Sequence, residues 1–379
     1  MSSHASTTHA ISLNPATGKV FAEYPFEQAA ELEQSLSRAA AGFKAWRKQP
    51  ISARAEQLRT IAKVLRKNAE AMAQMMTAEM GKPIAQSRGE VEKTAVTCEW
   101  YAENGPAIDV LREQAVEAGQ LAPRYHAQTR PAALEAEAVH RVTRLAEVAG
   151  APIYIVHLSS AEGLSEVVRA RARGVRALAE TCPQYLFLDE DCLALPGFEG
   201  ASYVCSPPLR PKEDQEALWK GLSDRYLQNV ATDHCPFCRD QRLHGVDDFR
   251  KIPNGLPGVE HRLEQIFHGG VAGGKFSLNR WVEICSTAPA KIFGLYPRKG
   301  TLAPGADADV VIFDPHAGHL VSAKTHHMNV DYSAYEGQTL SGAVRTVLLR
   351  GKVIVDDGRY NGAQGDGCFL ARGLSITES

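Results

Sequence analysis

The sequence predicts an α/β fold in which a β/α rhythm follows a helical first hundred residues. Three observations carry this. Apolar residues recur at helical spacing from residue 27 to residue 101, short apolar runs alternate with helical stretches from 152 to 232, and strand-like runs return after 308. With 379 residues, 44% of them hydrophobic, the chain is long enough for two or three domains with a sizeable core. A formal net charge of −2 argues against a nucleic-acid or anionic-membrane surface, which needs clustered uncompensated Lys and Arg. No apolar run approaches a membrane-spanning length, and the opening residues lack the charged and apolar regions of a secretory signal. Eight scattered cysteines suit reduced thiols, so the expected location is the cytoplasm.

Taken in order, Asn14-Pro15-Ala16-Thr17-Gly18-Lys19 reads as a turn before the extended run Val20-Phe21-Ala22-Glu23-Tyr24. From Glu27 onward Leu32, Leu36, Ala39, Ala40, Phe43 and Trp46 fall on one helical face. A second helix is expected from near Ser52, a residue able to cap it, with Leu58, Ile61, Leu65, Ala69, Met72 and Met76 along its buried stripe. Gly81 and Pro83 stop it, the first by permitting a left-handed cap and the second by lacking an amide donor. A third helix is expected from about Gln86 to Tyr101, with Val91, Val96 and Trp100 inward. These stripes read as core, and Cys98 reads as packing.

Residues 108–118 form a helical pattern ended by Gly119, residues 125–131 a connector, and residues 132–149 another helix. Pro152-Ile153-Tyr154-Ile155-Val156 has the near-continuous apolar character of a buried parallel strand, with His157 at its end. A helix over 161–173 leads to a strand at 176–180, and a third strand at 228–232 ends at Asp233. In a β/α barrel the side chains at the C-terminal strand ends converge on the active site. His157 and Asp233 are therefore candidates for metal ligation or acid/base work, against a hydrogen-bonded strand-end His and a helix-capping Asp. Three βα units cannot close an eight-stranded barrel, and open parallel edges predict poor solubility or a need for partners. Cys235-Pro236-Phe237-Cys238 has the spacing of half a zinc site, a weak signal without a second pair. His326-His327 reads as surface or packing.

The wording of the motifs says more than their spacing. Residues 14–18, 43–47, 54–65, 79–83 and 101–104, taken as a series, resemble the start of the aldehyde dehydrogenase family, particularly its succinate-semialdehyde type, over about residues 10–107. That family uses a Rossmann-like nicotinamide site, a later catalytic Cys and a later general-base Glu. None of those segments follows, so dehydrogenase activity is not expected. Ile155-Val156-His157-Leu158-Ser159, Glu180-Thr181-Cys182-Pro183-Gln184-Tyr185-Leu186, Ser206-Pro207-Pro208-Leu209-Arg210, Thr232-Asp233-His234-Cys235-Pro236-Phe237 and Lys251-Ile252-Pro253-Asn254-Gly255 occur in this order. With the runs at 297–300, 305–311 and 365–369, they resemble the dihydropyrimidinase and D-hydantoinase branch of the amidohydrolase superfamily over about residues 102–379. Residues 102–105 fit both resemblances, which marks residues 101–110 as a seam.

The second resemblance implies a partial (β/α)8 TIM-type barrel followed by a remnant of a small C-terminal β-sandwich, with strands at 308–313 and within 344–355. Expected boundaries are an N-terminal helical segment at 1–107, the partial barrel at 108–300 and the remnant at 301–379. Enzymes of that branch open a cyclic amide with a hydroxide held between two zinc ions, which acidify the water and polarise the carbonyl. Their ligands are a His-x-His pair, a carboxylated Lys, two further His and an Asp that also transfers the proton. The last His and the Asp map onto His157 and Asp233; Tyr101 occupies the position of the preceding His. His4 and His9, upstream, lack the His-x-His spacing, and the Lys has no identifiable counterpart. By resemblance, Ser206 and Asn254 offer backbone groups to the cyclic ureide, alongside tight-turn roles in Ser-Pro-Pro and Pro-Asn-Gly. The expectation is a zinc-dependent cyclic-amide hydrolase by family that is inactive as an isolated chain. The alternatives are a non-catalytic subunit, in a homo-oligomer or beside a full-length homologue, and a succinate-semialdehyde dehydrogenase fragment.

Overall fold

The computed structural model describes residues 9–46 and 48–375, and the side chains of all of these except 51 and 103–106. His4 and Arg47 thus lie outside the described residues. The chain divides into two compact units, Met1–Gln114 and Ala115–Ser379.

In the first unit β1 (His9–Leu13) and β2 (Val20–Pro25) form an antiparallel hairpin. The Asn14 side-chain oxygen accepts from the amides of Ala16 (2.9 Å) and Thr17 (3.2 Å), closing the turn expected there. After α1 (Ala29–Trp46), the expected second helix is two, α2 (Ile51–Lys67) and α3 (Ala69–Met80). Asn68 divides them. Its Nδ2 donates to the Val64 carbonyl at 2.8 Å, the local competition with backbone bonding that disfavours Asn inside helices. Ser52 does not cap α2: Pro50 holds the cap position without a side-chain bond, and its fixed φ starts the helix ahead of the serine. Gly81 does end α3, with φ 70° and its amide bonded to Thr77.

Two further expectations fail in this unit. The third helix does not stop near residue 101: α4 (Ile84–Glu117) runs unbroken through the seam. The helix-forming residues on both sides outweigh a propensity cost of about 1 kcal/mol at Gly105 and about 3 kcal/mol at Pro106. The apolar stripes are also not core. Leu36 is 55% and Phe43 62% exposed, and Leu32, Trp46, Ile61, Met72 and Val96 are exposed as well. What packs is mostly small: Ala55, Ala62, Ala73, Val91 and Ala95. Helices beside a two-stranded hairpin approach through their alanines, which leaves the bulky side chains without a layer to cover them.

The second unit holds α5 (Tyr125–Gln128), α6 (Ala132–Ala149), β3 (Ile153–Ile155), α7 (Ala161–Ala172), β4 (Ala177–Thr181), α8 (Gln184–Phe187), α9 (Lys212–Ser223) and β5 (Asn229–Val230). The connector expected at 125–131 therefore contains a helical turn, and β5 is shorter than the run 228–232 suggested. β3, β4 and β5 form one parallel sheet in that order, with Tyr154 beside Leu178 and Glu180 beside Asn229. Ser160 caps α7 by accepting from the Gly163 amide at 3.1 Å. One face of the sheet packs Ala177, Ala179 and Val230 onto Leu164, Val167, Leu218 and Leu222 of the flanking helices. The architecture is mixed α/β, and among the described residues there is no closed barrel.

Short helices α10 (Arg239–Arg242), α11 (Arg262–Ile266), α12 (Leu278–Val282) and α13 (Ala288–Ile292) precede a four-stranded antiparallel sheet. Its strands are β6 (Val310–Leu320), β7 (Thr339–Leu349), β8 (Lys352–Asp356) and β9 (Arg359–Tyr360). Arg350 and Gly351, both at positive φ, make the tight β7–β8 turn. Phe313 of β6 packs at a tilt against Phe267 and Trp281, each 4.8 Å between ring centroids, which joins this sheet to the helices. Among the described residues no helix is long and apolar enough to cross a membrane.

His261, ahead of α11, is buried with its Nε2 unbonded, and its ring lies 5.7 Å from that of His319. Burial holds its imidazole below the usual range; Glu260 opposes this, while His319, His326 and His327 reinforce it. A histidine depressed in the folded state favours folding above its unfolded value and loses that contribution as pH falls. The buried carboxyl of Glu264 is raised and works in the opposite sense. The change in melting temperature from pH 7.5 to 5.5 should therefore be more negative in the parent chain than in His261→Gln. Equal slopes in the two proteins would remove His261 as the cause.

Candidate active site

The C-terminal edge of the parallel sheet gathers the positions singled out by the sequence. His157 follows β3 with φ 41°, and Asp233 follows β5 with φ 46°. A left-handed backbone is costly for residues with a Cβ, so both positions are held by their surroundings. On the β3 side, the Glu135 carboxylate accepts from the Ser159 amide (2.9 Å) and hydroxyl (3.0 Å). Arg210 Nε donates to the same hydroxyl at 3.1 Å. His157 is half-buried and Asp233 exposed.

Two loops flank Asp233. The Gly255 amide donates to the Val204 carbonyl at 2.9 Å, and the Cys235 amide to the Leu256 carbonyl at 3.1 Å. Ser206 and Asn254, each next to this stitching, are both exposed, and the Ser206–Pro207 peptide is cis. His126 Nε2–H donates to the Cys205 carbonyl at 2.8 Å and steadies the same loop. The His234 Nδ1 accepts from the Gly258 amide at 3.1 Å, and burial lowers its pKa, so this imidazole serves the loop in its neutral form.

Sequence reasoning missed the side chain that joins these loops. Arg242 is 1% exposed; it donates to the carbonyls of Ala201 (2.6 Å), Pro253 (3.1 Å) and Gly255, and to the Tyr332 hydroxyl (2.7 Å). An isolated Arg on a short polar helix carries no sequence signal of burial. Also missed was a buried polar cluster on the sheet face opposite Ala177 and Ala179, where the Tyr154 ring meets Phe293 edge-on at 5.4 Å. The Tyr154 hydroxyl donates to the Glu180 carboxylate and lies 2.6 Å from the amide oxygen of Asn229. Burial, and then Glu180, push the Tyr154 phenol far above its usual range.

Buried Cys182 and Cys205 lie within the field of Asp233. Burial pushes both thiols up, Cys205 to about 12, and the Asp233 charge adds to it. Neither thiol is ionised at neutral pH, so neither offers a thiolate nucleophile or ligand. Cys238 caps the start of α10, its amide donating to Gln241 Oε1 at 2.7 Å, while Cys235 is an exposed free thiol. His326 Nε2–H donates to the Val330 carbonyl, and His327 bonds Glu260.

These residues do not fit a binuclear zinc site. Among the described residues no three His, Cys, Asp or Glu converge on one point. His157 and Asp233 follow the two outer strands of three, and they are the only two positions of the expected ligand set that the sequence supplies. Zinc takes three or four good protein ligands. Tyr101 lies exposed on α4, edge-on to Trp100.

This arrangement, candidate polar groups at the C-terminal ends of parallel strands, fits the family to which the sequence compares. The amidohydrolase family model matches residues 76–355, and the chain belongs to that family. The aldehyde dehydrogenase family model matches residues 2–130, so the two matches overlap across the seam. Individual relatives narrow the branch. The D-hydantoinase of Streptomyces coelicolor is 57% identical over 273 residues, covering 72% of this chain and 58% of that protein. The D-hydantoinase of Rhizobium radiobacter is 52% identical, covering 72% and 60%. The crystal structure of dihydropyrimidinase from Brevibacillus agri superposes with a TM-score of 0.71 at 45% identity, covering 72% of this chain and 59% of the other. The chain thus spans about three-fifths of the length of these relatives.

Proposed function

We propose that the chain is a cyclic-amide hydrolase of the dihydropyrimidinase and D-hydantoinase type by descent, without turnover as an isolated polypeptide. The observation that supports this is the ordered set of motifs along one sheet edge, within a region 57% identical to a D-hydantoinase. In this reading Asp233 is the proton-transfer residue and, with His157, what remains of the metal ligand set. Ser206 and Asn254 offer backbone groups to a small cyclic ureide. The boundaries in this reading are 1–107, 108–300 and 301–379. The donors among the described residues do not fit zinc. The test is turnover of dihydrouracil and of hydantoin by purified protein with and without added zinc, together with its zinc content. We expect no hydrolysis above the uncatalysed rate and less than one bound zinc per chain. Zinc-dependent hydrolysis at the rate of the Streptomyces coelicolor enzyme, assayed in parallel, would overturn the proposal.

A second reading is a non-catalytic subunit, favoured by the chain's coverage of only three-fifths of its relatives. Its mark would be co-purification with a full-length hydantoinase. A dehydrogenase role draws on residues 2–130 alone, and would require nicotinamide-cofactor binding by the purified chain.

A further inference from the structure

At the N-terminal end of β4, the end of the parallel sheet away from His157 and Asp233, lies an open cavity of about 1050 Å3. Small-molecule sites usually hold roughly 300–1,000 Å3, so this one has room for an organic ligand. Its walls are of two kinds. Val175, Leu178, Leu278, Val282 and Ile292 make the apolar part. Leu278 and Val282 lie four residues apart on one face of α12, and they stay 53% and 49% exposed where that face borders the cavity. Arg171, Arg176, Arg225, Arg280 and Lys291 make the charged part, and among the described residues Glu283 is the sole carboxylate on the lining. Arg225 and Arg280 share that carboxylate, at 2.7 and 3.1 Å. Arg171 donates to the carbonyls of Ala177 (2.7 Å) and Arg225 (2.9 Å). Among the described residues neither Arg171 nor Arg176 has a carboxylate within ion-pair distance. Arg225 itself is held in a left-handed backbone at φ 66°, its carbonyl accepting from Arg171 and Gln228, so the positive wall is fixed from behind.

We propose that this cavity binds a small organic dianion, a phosphate monoester above all, that carries an apolar group. The charge of the ligand follows from the lining. Two guanidinium groups stand without a carboxylate, and a planar fork of donors matches phosphate oxygens in pairs. A cationic ligand would meet five positive side chains and one negative. The apolar group follows from the other wall, because a bare inorganic anion would leave Leu278 and Val282 in water, whereas a ring or chain covers them. The cavity shares no residue with the candidate active site, so its occupancy does not depend on turnover.

The probe is 2-naphthyl phosphate, added to the full chain at pH 7.5 and read by its own fluorescence anisotropy. The comparison probes are 2-naphthol, which lacks the charge, and inorganic phosphate, which lacks the ring and is read by competition. The expected result is one-to-one binding of 2-naphthyl phosphate, at least tenfold tighter than either comparison probe. Arg176→Glu, at an exposed residue of the charged wall, should weaken that binding at least tenfold. Leu278→Ser, on the apolar wall, should weaken it at least threefold. Circular dichroism confirms the fold of each variant, and the two act on different walls, so either can decide if the other fails to fold. Absence of saturable binding would overturn the proposal. So would equal binding of 2-naphthol, which marks an apolar surface such as the exposed stripe of α1, or equal binding of inorganic phosphate, which marks an adventitious ion only. Undiminished binding by a folded Arg176→Glu variant would place the probe elsewhere on the chain and overturn it as well.

Discussion

Arg242→Met should lower the unfolding free energy of the second unit by roughly 3–5 kcal/mol, several bonds to a charged donor at about 1.5–3 kcal/mol each, less what the freed carbonyls regain from water. The guanidinium serves Ala201, Pro253, Gly255 and Tyr332 together, so its loss releases both loops that carry Ser206 and Asn254. Lysine should not rescue it, because one ammonium cannot reproduce a planar fork of donors. Tyr332→Phe, which removes a single partner, should cost about 1 kcal/mol. Urea denaturation of the three variants is the measurement. A loss below 1 kcal/mol in Arg242→Met would show that the loops hold themselves.

Gly255→Ala is the second large effect. At φ 149° a Cβ is already disfavoured, and here it would sit 2.4 Å from the Cys235 carbonyl oxygen and 2.6 Å from the Cys235 Cβ. Neither atom is the end of a flexible side chain, so the backbone has to separate. That breaks the bonds that hold 253–256 against 204 and 235, at a cost of roughly 2–4 kcal/mol. Gly258→Ala is the control. Its added carbon would meet nothing closer than Tyr335 at 3.8 Å, and should change stability by less than about 1 kcal/mol. Thermal unfolding of the pair separates the two cases; equal melting temperatures would mean that the 253–256 loop adapts freely.

The sequence is legible where one local rule decides the outcome. The Asn14 turn, the Gly81 cap, the helix at 132–149 and the order of strands, with His157 and Asp233 at two of their ends, all follow from local chemistry. It is not legible where the outcome depends on what lies alongside. The stripe through Leu36 and Phe43 has helical period and the composition of a core, yet period says only that a face is apolar, not that a layer exists to cover it. Asn68 and the span across Gly105 and Pro106 show propensity failing in both directions. In one a polar side chain breaks a helix at a position with no proline or glycine, and in the other a glycine and a proline fail to. At the site, motif wording located the candidate residues, whereas Arg242 and the Tyr154–Glu180–Asn229 cluster depend on partners up to 90 residues away and leave no mark in local sequence.

The left-handed backbones at His157 and Asp233 set the interests of folding against those of chemistry. Glycine would relieve that backbone strain outright, whereas His and Asp, which like Asn are found in the left-handed region more often than other residues, carry only part of it. On the proposed reading, in which the isolated chain does not turn over, these two positions should accept glycine more readily than the buried core accepts any change.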